Sequence, residues 1–135
     1  MRYLIGLLSI FFFSCSNSID LEDAVGTYVP ENYENNFDTI TLRSKGVYHR
    51  KVYDSDGNLV LNMKGKWMLG ENKDEIRFRS FYLNLDDDLV KFPESVQDTS
   101  GGWSGLIEKE IGEMKFCLGY YSADLPDQNC YKKIR

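Results

Sequence analysis

The chain predicts an all-β fold, an antiparallel up-and-down barrel or closed meander of about eight short strands. Three observations point there. Between Leu59 and Leu69 the odd positions are Leu, Leu, Met, Gly, Trp and Leu, while the even positions include Asn62, Lys64 and Lys66. That period of two is the signature of a strand with one buried and one wet face. Turn-forming residues recur at each junction, Asp56-Gly57 being the strongest of them. After the N-terminal apolar run, no segment carries a helical period long enough for a packed helix.

The chain opens with Arg2 and a mostly apolar run from Tyr3 to Ile10, interrupted by Ser9, followed by Phe11-Phe12-Phe13-Ser14-Cys15-Ser16. A charged start and a short apolar core make a secretory signal, too short to span a bilayer permanently. A small residue followed by Cys at the end of such a run resembles the lipobox of bacterial lipoproteins. The resemblance implies cleavage after Ser14, acylation of Cys15 and anchoring in the bacterial cell envelope, with the outer membrane the expected address. An ordinary signal peptide cleaved nearby, or a buried apolar start, are the other readings of the run. The expected organisation is a signal peptide over residues 1–14, a lipidated Cys and short tether over 15–25, and a β domain over 26–135.

Leu21 to Val25 suits one helical turn, and Gly26-Thr27-Tyr28-Val29 opens the first strand. Pro30 to Asn36 reads as a loop. With Asp56-Gly57 at the centre of a type I′ turn, Val52 faces Leu61, Arg50 faces Met63 and Tyr48 faces Gly65. A slip of one residue would bring Lys51 opposite Leu61 on the core face, so this pairing is well specified. Ser44-Lys45-Gly46 predicts a hairpin loop with Gly in the left-handed position, which sets Leu42 opposite Tyr48 and Ile40 opposite Arg50. Across the turn at Gly70–Asp74, Ile76 faces Leu69 and Phe78 faces Trp67. Lys66 and Met68 then share the outer face with Arg79 and Arg77. Near Ser80 the apolar parity changes, predicting a bulge or corner. Leu89–Phe92 is expected as a short strand ended by Pro93, and Glu94–Gly102 as a mobile loop. Trp103–Ile111, Met114–Tyr121 and Cys130–Ile134 supply the last strands.

Without residues 1–14 the chain has 121 of its 135 residues, with 15 basic and 21 acidic, a net charge of −6. One domain of that size buries enough surface to fold without a metal. Its Lys and Arg are dispersed along an acidic chain, so nucleic acid is not an expected partner. Once Cys15 is acylated, Cys117 and Cys130 remain, an even pair in an oxidising compartment that predicts a disulfide.

Gly26-x-Tyr28, Gly46-Val47-Tyr48, Gly65-Lys66-Trp67 and Tyr131-Lys132-Lys133-Ile134 together resemble the small lipocalin-like lipoproteins of bacteria. The likeness covers most of the mature chain and implies a calycin-type barrel.

Candidate sites are few. Asp54-Ser55-Asp56-Gly57-Asn58 is similar to the start of a calcium loop, but its sixth position is Leu59 and its twelfth Gly65. A hairpin turn wants the same pentapeptide, and that is the expectation here. His49, the single His, falls on the wet face beside Lys51 and Lys64, with no second His for zinc and no Ser–His–Asp set. Asp86-Asp87-Asp88 reads as a solvated acidic loop. Glu108 and Glu110 point the same way along a strand, with no perturbing partner that would make them an acid/base pair. No metal, cofactor or catalytic residue is expected.

Arg50 is the informative residue. Its parity sets it on the apolar face, where an unpaired charge is costly. Either Asp38, diagonal across the hairpin, neutralises it, or it waits in a barrel mouth for the anionic group of a ligand. The first functional expectation is therefore a binder of a small amphipathic, anionic molecule, with Tyr48, Arg50, Trp67, Phe78 and Tyr82 lining the cavity. The second is a protein-binding module, such as an inhibitor of or immunity factor against an envelope hydrolase, using Glu94–Gly102 and an exposed Trp103. An open barrel favours the first and a filled one the second.

Overall fold

The computed structural model describes residues 18–31, 37–84, 88–97, 101–119 and 129–135. Residues 1–17, with Cys15 and the expected signal and lipidation site, lie outside these, as do Asp86 and Asp87. Eight antiparallel strands form a closed barrel: β1 (Gly26–Pro30), β2 (Phe37–Arg43), β3 (Val47–Tyr53), β4 (Leu59–Leu69), β5 (Glu75–Arg79), β6 (Gly102–Glu110), β7 (Glu113–Leu118) and β8 (Cys130–Lys133). Each strand pairs with the next in sequence, and β8 returns to β1 with Tyr28 opposite Lys133. Closure leaves no sheet edge to template aggregation. The short helices α1 (Leu21–Ala24) and α2 (Asp88–Lys91) and a 3-10 turn (Pro93–Gln97) complete the described elements. No described helix is long and apolar enough to cross a membrane.

Alternation dictates the pairing. Tyr48 faces Gly65, Arg50 faces Met63 and Val52 faces Leu61, while Leu42 and Ile40 face Tyr48 and Arg50. Leu69 meets Ile76 and Trp67 meets Phe78, as expected. Gly46 takes the left-handed conformation at φ 69°, and the Trp67 indole donates to the Arg43 carbonyl at 3.0 Å. Gly65 is needed for a different reason: a Cβ there would lie 2.4 Å from the Tyr48 ring and 2.6 Å from the Arg79 carbonyl oxygen. The missing side chain makes the space that the Tyr48 ring fills.

Four expectations are corrected. Asp56-Gly57 does not form a two-residue turn; only Gly57 has positive φ, and pairing slips at Val52/Tyr53. The Asp54 carboxylate organises a longer loop instead, accepting from the backbone of Asp56 and Asn58 and from the Asn58 amide at 2.8–3.0 Å. Leu89–Phe92 is not a strand. The Asn84 side chain accepts from the Leu89 backbone N–H at 3.1 Å, helix α2 begins there, and Leu89 is buried. In the segment after it, Pro93–Gln97 form the 3-10 turn. Trp103 is half-buried opposite Phe78 and packs against the core, rather than standing exposed in a loop.

Cys117 and Cys130 are disulfide-bonded, directly opposite one another on β7 and β8 and 13 residues apart in sequence. Closing so short a loop restricts the unfolded chain, so the Cys117→Ser/Cys130→Ser double variant should lose about 3 kcal/mol of stability. Urea unfolding with and without reductant measures this. A loss under about 1 kcal/mol would contradict the loop-closure account.

Candidate functional site

The barrel interior is built from aromatic rings. Tyr28, Tyr48, Phe78, Phe81, Phe116 and Tyr131 are all at 0–2% exposure. Phe78 stands 5.3 Å from Tyr48, 4.8 Å from Phe81 and 5.4 Å from Phe116, and Phe116 stacks on Tyr131 at 5.3 Å. Tilted and edge-on pairs at such distances add to the energy of burying the rings. Phe81 belongs to no strand. Ser80 has φ 58°, and that left-handed residue turns the chain inward, so the parity change in the sequence marks the place where the β5–β6 connection enters the barrel.

Arg50 lies fully buried within this aromatic lining. Its Nε donates to Asp38 Oδ1 at 2.9 Å and its Nη2 to Asp38 Oδ2 at 2.5 Å, a two-armed fork on a carboxylate that is itself at 0% exposure. Nη2 also donates to the Tyr131 hydroxyl at 3.1 Å, and that hydroxyl donates to Asp38 Oδ2 at 2.9 Å. Nη1 donates to the backbone carbonyl of Tyr82, and the guanidinium sits 4.5 Å over the Phe81 ring. Burial alone would depress the guanidinium pKa. The Asp38 charge and hydrogen bonds, together with the Tyr131 and Tyr48 hydroxyls, more than reverse this, so the pKa is raised and Arg50 stays charged. The Tyr48 phenol is pushed up by burial and donates to the Ser80 carbonyl.

Tyr48, Arg50, Trp67 and Phe78 thus share the inner face as the alternation predicts, at 0–2% exposure. Tyr82 reaches the group from the β5–β6 connection and is half-buried. Tyr48 and Arg50 are tied to the Ser80–Tyr82 backbone, Phe78 packs on Tyr48, and the Trp67 indole is held by the Arg43 carbonyl. Asp38 was legible as the partner of Arg50; Tyr131 and Phe81 were not, because nothing in sequence distance joins them to Arg50.

The other candidates separate. His49 is half-exposed on the outer face; slight burial and then Arg43, Lys64 and Lys51 lower its pKa. The Asp54 carboxyl is held below its usual range by its hydrogen bonds to Asn58, and its oxygens are taken up by the turn. Glu108 and Glu110 are exposed, opposite Lys115 and Glu113. Among the described residues no three His, Cys, Asp or Glu side chains gather as a metal site would require. A groove of ≈ 440 Å³ runs between α1, the β6–β7 turn and the last residues, but its Lys109 and Lys133 already hold Asp23, through the carboxylate at 2.9 Å and the backbone carbonyl at 2.6 Å.

No protein family matches the chain, and neither does any curated protein. A crystal structure of an uncharacterized protein from Bacteroides eggerthii DSM 20697 is similar, with 15% identity and a TM-score of 0.45 over 82% of this chain and 98% of that one. Its description names no activity or ligand.

Proposed function

We propose that this chain is a lipid-anchored, lipocalin-like protein of the bacterial envelope that binds a protein partner through its outer surface, with the barrel interior serving as core. The observation that carries the reading is the paired state of Arg50, whose donors go to Asp38, Tyr131 and the Tyr82 carbonyl inside a lining of packed rings. A cavity awaiting an anion would keep such a cation accessible. The partner class is an envelope protein, as for an inhibitor of or immunity factor against an envelope hydrolase. The lipobox-like stretch ending at Ser14-Cys15 supports the anchor, and four residues separate Cys15 from Asp20. Asp20 then bonds Lys73 in the β4–β5 turn and Asp23 bonds Lys109 near the β6–β7 turn, so the tether leaves from that end of the barrel. The barrel sides and opposite end are left for the partner.

Titration with fatty acids and other amphipathic anions tests the reading, following Trp67 fluorescence in a Trp103→Phe background. No saturable binding is expected, and Cys15→Ala should release the protein from the membrane fraction or leave it unprocessed. Stoichiometric fatty-acid binding, weakened in Arg50→Met, would overturn the outer-surface reading in favour of a small-ligand carrier. Normal membrane fractionation of Cys15→Ala would remove the anchor.

A further inference from the structure

The basic residues are dispersed in sequence but not in space. Arg43, Lys51, Lys64, Lys66, Arg77 and Arg79, six of the chain's 16 Lys and Arg, are exposed on the outer face of four consecutive strands, β2 to β5. Lys66 lies directly opposite Arg79, and Lys64 opposite His49. Lys66 and Arg79, so placed, repel across the sheet. Among the described residues of these strands, the acid facing outward is Glu75, whose carboxylate accepts from Arg77 at 2.6 and 2.9 Å. The other five cations make no ion pair among the described residues. Among the described residues, five of these six cations thus stand without an ion-pair partner, in a chain whose net charge is −5.

The face is also shaped. Gly102 and Ser104 on β6 lie opposite Arg79 and Arg77, and their small size leaves a depression of ≈ 290 Å³ lined by Lys66, Met68, Arg77, Arg79, Gly102 and Ser104. Lys64 and Lys66 on β4, and Arg77 and Arg79 on β5, repeat every second residue, a spacing of about 7 Å. An extended peptide presents its alternate side chains at that same interval.

We infer that the outer face of β4–β5–β6 is a docking surface for an extended acidic segment of a partner protein, whose alternate carboxylates are received by Lys64 and by the facing pair Lys66 and Arg79. This rests on the outer-surface reading above and names the face and the partner's chemistry. Three observations favour a protein segment over a nucleic acid or a lipid surface. Arg77 already receives a carboxylate on this face, from Glu75. Met68, 43% exposed between the cations, offers apolar ground that a sugar-phosphate chain would not use. The acidic remainder of the molecule opposes a long uniform polyanion, whereas a short segment lies within the roughly 8 Å over which the local cations dominate at physiological salt.

The probe is a fluorescein-labelled synthetic peptide alternating Glu and Leu, followed by anisotropy, with the Gln–Leu analogue as control. The Glu peptide should bind saturably and more weakly as salt rises, and the Gln analogue should not bind. Lys66→Glu/Arg79→Glu should lose roughly tenfold or more in affinity, and the milder Lys66→Gln/Arg79→Gln an intermediate amount. Lys115→Glu/Lys132→Glu, which alters cations on β7 and β8, should bind as the parent does. Melting curves of all three variants show that each is folded. The inference is overturned by absent saturable peptide binding or by an equal loss in the β7–β8 variant. Tighter binding of single-stranded DNA or of phosphatidylglycerol vesicles than of the peptide also overturns it. Should it fail while fatty acids still do not bind, the outer-surface reading stands with another face as its site; fatty-acid binding removes both.

Discussion

Arg50→Met should destabilise the barrel by about 3–5 kcal/mol, a drop on the order of 10–20 °C in melting temperature. The side chain it removes is nearly isosteric in its stem, so lost volume is not the cause. The cause is Asp38, which at 0% exposure would lose both guanidinium donors and retain the Tyr131 hydroxyl. The Tyr82 carbonyl loses the Nη1 donor, and the Phe81 ring loses the cation 4.5 Å above it. Removing one partner of a buried pair costs more than removing both. Arg50→Met/Asp38→Leu should therefore recover a large part of the loss, and urea unfolding of the two single variants and the double gives the coupling energy. A single variant as stable as the parent would mean that Arg50 is not the neutralising partner of Asp38. The same experiment separates a structural Arg50 from a ligand-binding one, because only the former sets the melting temperature without any ligand present.

Phe116→Ala should cost a similar amount, about 3–5 kcal/mol, by a different route. Phe116 sits opposite Ile107 on β6 and Tyr131 on β8, with its ring 4.9 Å from Tyr28, 5.4 Å from Phe78 and 5.3 Å from Tyr131. Closed on both sides by hydrogen-bonded neighbours, β7 cannot move inward to fill the hole, so the transfer energy and the cavity term add. Phe116→Leu keeps most of the volume and should cost about 1.5 kcal/mol or less. Urea titration of both variants checks the ratio, and benzene should partly restore Phe116→Ala if the hole is dry and apolar. Equal, small losses for both would mean that the ring is not packed as described.

The strand pairings from β2 to β5 follow from local rules. Alternating apolar residues fix which face of each strand is buried and exclude a one-residue slip, so Tyr48–Gly65, Arg50–Met63 and Trp67–Phe78 are readable without coordinates. The failures lie where a side chain from elsewhere overrides the local pattern. Leu89–Val90 is as apolar as a strand, but the Asn84 side chain starts a helix there. Asp56-Gly57 has the composition of a tight turn, but Asp54 draws three donors from Asp56 and Asn58 and holds a wider loop.

What the sequence determined by itself was the all-β class, the inner and outer faces, the Cys117–Cys130 pair and the placement of Arg50 on the inner face beside Asp38. These depend on periodicity and near neighbours, which a linear pattern carries. Only the tertiary structure decided that aromatic rings and a paired Arg50 pack together in the described interior and that the cations form a patch. Both depend on closure. Bringing β8 to β1 places Tyr131 against Arg50 across 81 positions of chain, and turning the β5–β6 connection inward brings Phe81 over the guanidinium. Laying β2 to β5 side by side gathers cations that stand up to 36 positions apart, from Arg43 to Arg79, onto one surface. Strand neighbours sit about 5 Å apart whatever their distance along the chain, so a charge scattered in sequence becomes local only once the sheet is formed.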